Sequence, residues 1–416
     1  MSGNAVRRIV IVGSSLGGAS AAVALREQGF DGDVTLVGDE LHLPYERPPL
    51  SKAVLTGEHD DPDWVADSSY YGEHGIDLRR GVHVTSVRPA EMVVVAGADE
   101  LPYDRLLLAT GAEPRTLALP GADLAGLHVL RTLDDSLALR AALVPGKRVA
   151  VVGAGWIGSE VASAAHGHGC DVVLLDPLPQ PLIRVLGDRI GGAFAALHRA
   201  NGVDLRTTTG VTGFVGAEGQ VTGVELSDGT TVAADVVVVG VGVRPRVELA
   251  EAAGLTLALG GVAVDASLRS SDPSIYAVGD IAAHDHPRYG WLRVEHWDVA
   301  KEQGTHVAAN LAGADVAYTK SPFFFSDQYD LGCEYRGSAD PEHDELVVRG
   351  DLDGREFTAF WLREGAVRAA LNVNVWDDGD ALGALVDAGA RVTAAQLMDA
   401  DLAELAEQAT AGNPPG

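Results

Sequence analysis

Short apolar runs broken by glycine turns set the rhythm of the chain. Arg7–Val12 is one such run and stops at Gly13. Ala19–Gln28 carries helix-forming residues and closes at Gly29, and Val34–Val37 begins another run. Strand, glycine turn, helix, strand predicts a βαβ unit. The same order returns further on. Arg148–Val152 is a strand, Gly153–Gly158 a turn, Ser159–His168 a helix ended by Gly169, and Val172–Leu175 the next strand. Val221–Leu226, the Asp228-Gly229 turn and Thr231–Ala233 read as a hairpin, followed by the valine-rich strand Val236–Val239. The C-terminal part changes character. Leu346–Gly350, Phe357–Leu362 and Val367–Asn374 look like successive antiparallel strands. Met398, Leu402, Leu405 and Ala409 fall on one face of a last amphipathic helix, and Ala411–Gly416, with Pro414-Pro415, reads as a loose tail.

Length and composition bound this picture. The chain has 416 residues, enough for roughly two to three domains. Apolar residues make up 46%, so a large core is available. The formal charge of −28 repels phosphate backbones, which excludes nucleic acid as an expected partner. Cys170 and Cys333 are the only thiols. They supply neither a disulfide framework nor a thiolate metal site, and they fit a reducing cytoplasm. Met1–Arg8 lacks the pattern of a secretory leader, and no apolar run reaches membrane-spanning length. The histidines show no ligand spacing, so no metal is expected. His284 and His286 alternate in what reads as an exposed loop.

The chemistry lies in the two glycine turns. Gly153-Ala154-Gly155-Trp156-Ile157-Gly158 is a complete GxGxxG. Its first glycine permits the tight turn, its second the approach of a pyrophosphate, and its third close packing of helix on strand. A helix N-terminus facing the phosphates offers free N–H groups and a positive dipole end. Asp176 ends the following strand, where a carboxylate accepts from a ribose 2′-hydroxyl and repels a 2′-phosphate, so NADH is expected over NADPH. The earlier turn, Gly13-Ser14-Ser15-Leu16-Gly17-Gly18, carries Ser15 in the second glycine position, with Asp39 placed as its ribose ligand. Two such turns imply two dinucleotide sites, or one true site and a degenerate structural copy.

Four segments then carry a family resemblance. Leu43–Lys52, Leu108–Ala112, Ser274–Asp280 and Phe323–Asp330 resemble motifs of the putidaredoxin reductase-like family of FAD-dependent, NADH-linked ferredoxin reductases. The first and last are specific to this branch. The resemblance covers nearly the whole chain and implies an α/β architecture with two Rossmann-like domains. An FAD domain would comprise residues 1–113 and 243–322, with an NAD domain of residues 114–242 inserted in it. A small α+β domain of residues 323–410 and a tail of residues 411–416 would follow.

The resemblance also implies site residues. Gly17, Asp39, Lys52, Val84, Ala109, Arg131, Asp280 and Trp297 match positions that touch FAD, with Arg131 facing pyrophosphate and Asp280 the ribityl hydroxyls. Gly13, Ser15, Gly18, Arg47, Thr110, Gly111, Gly242, Gly279, Glu295 and His296 complete the expected cofactor-binding set, Glu295–Trp297 running beside the pyrimidine end of the flavin. Gly153, Gly155, Trp156, Ile157, Gly158 and Asp176 would serve NADH. Lys52 and Glu160 match a pair near the flavin N5, where hydride arrives. The residues alone equally allow Lys52 as a loop cation and Glu160 as a solvated first-turn carboxylate. Phe325 stands where relatives often carry tryptophan, and a hydrophobic core role is as open as a partner-facing one.

Disulfide reductases of the wider superfamily keep a cysteine pair where this chain reads Arg47-Pro48-Pro49-Leu50-Ser51-Lys52. Electrons are therefore expected to leave singly to a separate 2Fe–2S ferredoxin that feeds an oxygenase. Rubredoxin, nitrite reductase or ascorbyl radical remain alternative acceptors, and an NADH-sensing role like that of the apoptosis-inducing factor branch is the non-catalytic alternative. Docking on an acidic protein needs a local basic patch, for which Arg288, Arg293, Lys301, Lys320 and Arg336 are candidates. Monomer and homodimer stay equally open.

Overall fold

The computed structural model describes residues 6–411. The first five residues of the segment read for a leader, and residues 412–416 of the expected tail, lie outside the described residues. The chain forms two compact units. One runs through Arg47, then Pro62–Glu113 and Val243–Lys320. The other takes Pro48–Asp61, Pro114–Gly242 and the chain from Ser321 onward.

The first unit is built on a parallel sheet in the order Ile275–Ala277, Arg105–Leu108, Arg8–Val12, Asp33–Gly38, Ile76–Arg80. Such strands are covered on both faces, which is why they read as continuous Val/Ile/Leu runs. Ile9, Ile11, Leu36, Leu106 and Leu107 are fully buried. Helix Leu16–Glu27 packs against helix Trp297–Leu311 through small residues: a Cβ on Gly304 would lie 2.3 Å from the Gly17 carbonyl oxygen. An antiparallel and a mixed sheet add to the unit. One comprises Val84–Arg88, Val93–Ala96 and Asp99–Pro102; the other contains Gly261–Val264, Ala282–His286 and Gly290–Leu292. His284 and His286 therefore correct the loop reading. They sit on a strand and are 1% and 2% exposed, both on the covered face because side chains two apart share a face.

The second unit repeats the parallel plan in the order Asp204–Arg206, Asp171–Leu175, Arg148–Val152, Val236–Val239, Leu127–His128. The expected hairpin is present as part of a three-stranded sheet, Val211–Ala217, Gln220–Leu226 and Thr231–Ala233. From Phe323 the chain makes a five-stranded antiparallel sheet, ordered Phe323–Gln328, Leu331–Gly337, Ala366–Val373, Glu356–Arg363, Glu345–Asp351. Phe357, Phe360 and Trp361 fill its interior. The α/β class, two Rossmann-like cores and a C-terminal antiparallel sheet agree with the reading of the sequence. The last amphipathic helix does not. It is two helices, Ala394–Asp399 and Leu402–Ala411, and Met398 is 45% exposed while Leu402 and Leu405 are buried. Thr393 and Gln396 form a capping box that starts the first of them.

Candidate functional site

Each glycine turn is demanded by its own unit. Gly13 has φ +113°, and a Cβ there would lie 2.1 Å from the Ala109 carbonyl oxygen. Gly153 has φ +103°, and its Cβ would lie 2.4 Å from the Gly240 oxygen. The third glycines behave alike: Cβ atoms on Gly18 and Gly158 would each lie 1.9 Å from the carbonyl oxygen of Gly13 and Gly153. The middle position differs. Gly155 has φ −77°, and a Cβ there meets no atom within 4 Å. Ser15, its counterpart, has φ −86°, so a side chain is accommodated without strain. The fold demands glycine at the first and third positions, and at the second only a ligand does. The two turns are thus equivalent in backbone build, and Ser15 stands in place of glycine at the one position that the fold leaves open.

The first turn opens on a cavity of about 500 Å³. Gly13, Ser15, Asp39, Arg47, Val84, Ala109 and Thr110 line it, joined by His83 and Arg246, which the sequence did not single out. The volume falls in the usual range for a small-molecule site. Arg47 donates from Nε to Ser15 Oγ at 3.2 Å and from Nη2 to Glu40 Oε1 at 3.0 Å. Asp39, half exposed, lies 3.0 Å from His83 Nδ1 and 3.8 Å from Arg246 Nη1. Thr110 Oγ1 donates to the Arg246 carbonyl at 2.9 Å. Gly111 adopts φ +67° beside it. In the same unit Gly279 and Asp280 form a buried turn. The Gly279 N–H donates to Gln303 Oε1 at 2.9 Å, and the Asp280 carbonyl accepts from Arg293. His296 occupies the position before helix Trp297–Leu311. The Trp297 indole N–H donates to Glu46 Oε2 at 2.9 Å, and Lys301 pairs with Glu46 Oε1 at 3.0 Å. Glu295 pairs with Arg293.

Arg131 and Gly242 belong to the second unit. Arg131 precedes the helix Leu133–Ala142, its N–H donating to Asp135 Oδ2, and Gly242 has φ +97°. Around the second turn the geometry is specific. Asp176 is 9% exposed, with Oδ2 accepting from the Ala154 N–H at 2.7 Å and Oδ1 from the Leu178 N–H at 2.8 Å. Its carboxylate braces the turn itself. Trp156 packs edge-on against Phe194 and Phe324, tying helix Trp156–Gly167 to the C-terminal sheet, while Ile157 is 44% exposed.

Lys52 and Glu160 meet in this second unit. Lys52 Nζ lies 2.7 Å from Glu160 Oε1. The Glu160 side chain is 3% exposed, which removes the solvated-carboxylate alternative. Ser51 Oγ donates to Glu160 Oε2 at 2.5 Å and Ser326 Oγ to Oε1 at 2.7 Å. The Lys52 ammonium stands 5.1 Å from the centre of the Phe325 ring, a cation–π contact. Phe325 is therefore half-buried against the pair. Ser51 and Ser326 escaped the sequence reading because serine carries no periodic signal.

Both cysteines are free and buried, and burial pushes both thiols up from their usual range. Among the described residues no group of histidine, cysteine or carboxylate side chains is placed to hold a metal. No helix among them is long and apolar enough to cross a membrane. Of the candidate docking cations, Arg293, Lys301, Lys320 and Arg336 are each paired with a carboxylate, on Glu295, Glu46, Asp298 and Glu334, and Arg288 lies over the Tyr289 ring.

Comparison with known proteins fits this geometry. Residues 7–304 match the family model described as pyridine nucleotide-disulphide oxidoreductase, and residues 323–406 match the model described as reductase C-terminal. The chain is 41% identical over 358 residues to rhodocoxin reductase of Rhodococcus erythropolis, covering 85% of this chain and 83% of that protein. It is 41% identical over 394 residues to the ferredoxin–NAD(+) reductase component of the anthranilate 1,2-dioxygenase system of Burkholderia cepacia, covering 94% and 96%. The crystal structure of a covalent putidaredoxin reductase–putidaredoxin complex superposes with a TM-score of 0.93 at 35% identity, covering 98% of this chain and 100% of that one.

Proposed function

Because the chain belongs to the pyridine nucleotide-disulphide oxidoreductase family, we infer that it is an FAD-containing reductase that takes electrons from NADH and delivers them to a ferredoxin. The observation that carries this reading is the pair of equivalent glycine turns, each opening at the start of a twelve-residue helix. One dinucleotide would carry the flavin and the other the nicotinamide. Bound FAD supplies a ring that accepts two electrons together and gives them up singly, which suits a one-electron iron–sulfur carrier.

The protein's own residues bind and orient. The free N–H groups at the start of helix Leu16–Glu27 would hold the FAD pyrophosphate, aided by Arg47, with the extended Ser15 backbone at its approach and Gly17 and Gly18 keeping the turn closely packed. Asp39 takes the adenosine ribose, Val84 and Ala109–Gly111 the adenine side, and Asp280 the ribityl chain. Gly279 and Glu295–Trp297 line the path toward the ring. Gly153, Gly155 and Gly158 hold the NADH pyrophosphate at the start of helix Trp156–Gly167, with Trp156, Ile157 and Gly242 beside it. Asp176 braces that turn and sets negative charge where a 2′-phosphate would sit, in keeping with NADH. Lys52 and Glu160 form the catalytic pair beside the ring, Lys52 supplying positive charge and Glu160 holding it in place. In domain terms, residues 1–113 and 243–322 carry FAD, 114–242 NADH, and 323–410 the closing α+β domain. The ferredoxin is of the 2Fe–2S type and serves a cytoplasmic oxygenase.

Purified protein reconstituted with FAD and NADH should reduce a 2Fe–2S ferredoxin faster than rubredoxin or ascorbyl radical. Preference for either of the latter would replace the acceptor in this reading, and a protein that takes up no FAD would end it.

A further inference from the structure

A carboxylate as deeply covered as Glu160 needs more than one partner. Removing a charge from water costs several kcal/mol unless its acceptor sites are filled. A carboxylate has about four such sites. Lys52 fills one on Oε1, Ser51 one on Oε2, and Ser326 a second on Oε1. Ser51 precedes Lys52 in the chain and ends the turn Pro48–Ser51, so the two arrive together. Ser326 comes from the strand Phe323–Gln328 and is 1% exposed. Its hydroxyl accepts from Gln328 Nε2 at 3.3 Å. That contact occupies a lone pair and leaves the hydroxyl proton to Glu160. The chain of donation therefore runs from Gln328 through Ser326 to the carboxylate that holds Lys52.

We propose that Ser326, together with Ser51, is a positioning residue that fixes the Glu160 carboxylate and through it the Lys52 ammonium, so that the C-terminal sheet supplies part of the redox site. The proposal rests on the reading above that Lys52 and Glu160 work at that site. Without the Ser326 hydroxyl, Oε1 keeps only Lys52, and the carboxylate is free to swing about its last torsion. The ammonium then spends time unpaired and open to reagents. Ser326→Thr keeps the hydroxyl, whereas Ser326→Cys keeps the volume and offers only a weak S–H donor.

The test uses the FAD-loaded protein and a water-soluble acylating reagent, with sites mapped by peptide mass spectrometry and exposed Lys147 as internal reference. Ser326→Ala should raise the relative acylation rate of Lys52 about tenfold, the usual scale for a hydrogen bond to a charged group. It should also lower the limiting rate of flavin reduction by NADH about tenfold while leaving the apparent NADH affinity within about twofold. Ser326→Thr should restore both, and Ser326→Cys should behave as Ala; Cys takes the place of Ala if the Ala variant melts below the assay temperature. Wild-type Lys52 reactivity in the Ala or Cys variant overturns the proposal. Glu160→Gln separates the two levels. If it leaves flavin reduction unchanged, the reading of the pair as the redox site is wrong. If it slows reduction while Ser326 variants do not, only the role of Ser326 is lost.

Discussion

At the scale of single residues, the glycines divide by what demands them. Gly158 has no room for a Cβ, which would lie 1.9 Å from the Gly153 oxygen, whereas Gly155 has open space. Gly158→Ala should therefore lower the melting temperature clearly, by an overpacking cost of about 1–3 kcal/mol or more. Gly155→Ala should leave melting nearly unchanged but weaken NADH binding about tenfold, since only the pyrophosphate needs that space. A thermal scan and an NADH titration on both variants check this, and equal melting losses would contradict it. The first and third glycines and their spacing were legible in the sequence because a strand–helix turn imposes them. Ser15 looked like a defect there. The coordinates show that its extended backbone lets the turn form without strain. Asp176 was placed correctly at the strand end, but its use of both oxygens to brace the turn depends on a side-chain rotamer that no pattern reveals.

At the scale of elements, the parallel strands were legible because burial on both faces leaves near-continuous valine runs. The C-terminal elements were less so. An apolar spacing that fits one helix was satisfied by two, because the Thr393–Gln396 capping box and the break at Ala400-Asp401 reset the phase. His284 and His286 were read as lying in an exposed loop, yet they sit on a strand whose two-residue period carries both to the covered face. The close contact of helices Leu16–Glu27 and Trp297–Leu311 was invisible, since it depends on two glycines far apart in the chain. Gly304→Ala would set a Cβ 2.3 Å from the Gly17 oxygen and push the helices apart. It should destabilise the protein by about 2 kcal/mol or more and loosen FAD, because Gly17 lies in the turn proposed to hold it. Chemical unfolding and FAD release on dilution measure the two effects. Normal stability in the alanine variant would contradict the packing described.

At the scale of the whole molecule, acid stability follows from buried histidines. Burial holds His198 and His284 neutral, with pKa values near 4 against an ordinary 6.5, the neighbouring His286 adding to the effect at His284. The unfolded chain takes up these protons at higher pH than the folded one. Their stabilising contribution is complete above about 6.5 and is lost as pH falls from there toward 4. The melting temperature should drop steadily between about pH 7 and about pH 5, and a flat profile would count against two neutral buried imidazoles. Charge at this scale also bears on the partner. The candidate docking cations are largely neutralised by neighbouring carboxylates, and sequence alone could not show this because pairing depends on the fold.

The central claim is that electrons pass from NADH through FAD to a ferredoxin, and one anaerobic titration tests it most directly. The FAD-loaded protein is mixed with limiting NADH and an excess of oxidised 2Fe–2S ferredoxin, and both chromophores are followed by absorbance. The account predicts that the flavin bleaches on NADH addition, regains its colour as ferredoxin is reduced, and yields two equivalents of reduced ferredoxin for each NADH consumed. A flavin that bleaches and stays bleached with ferredoxin present, or one that NADH does not bleach, would contradict it.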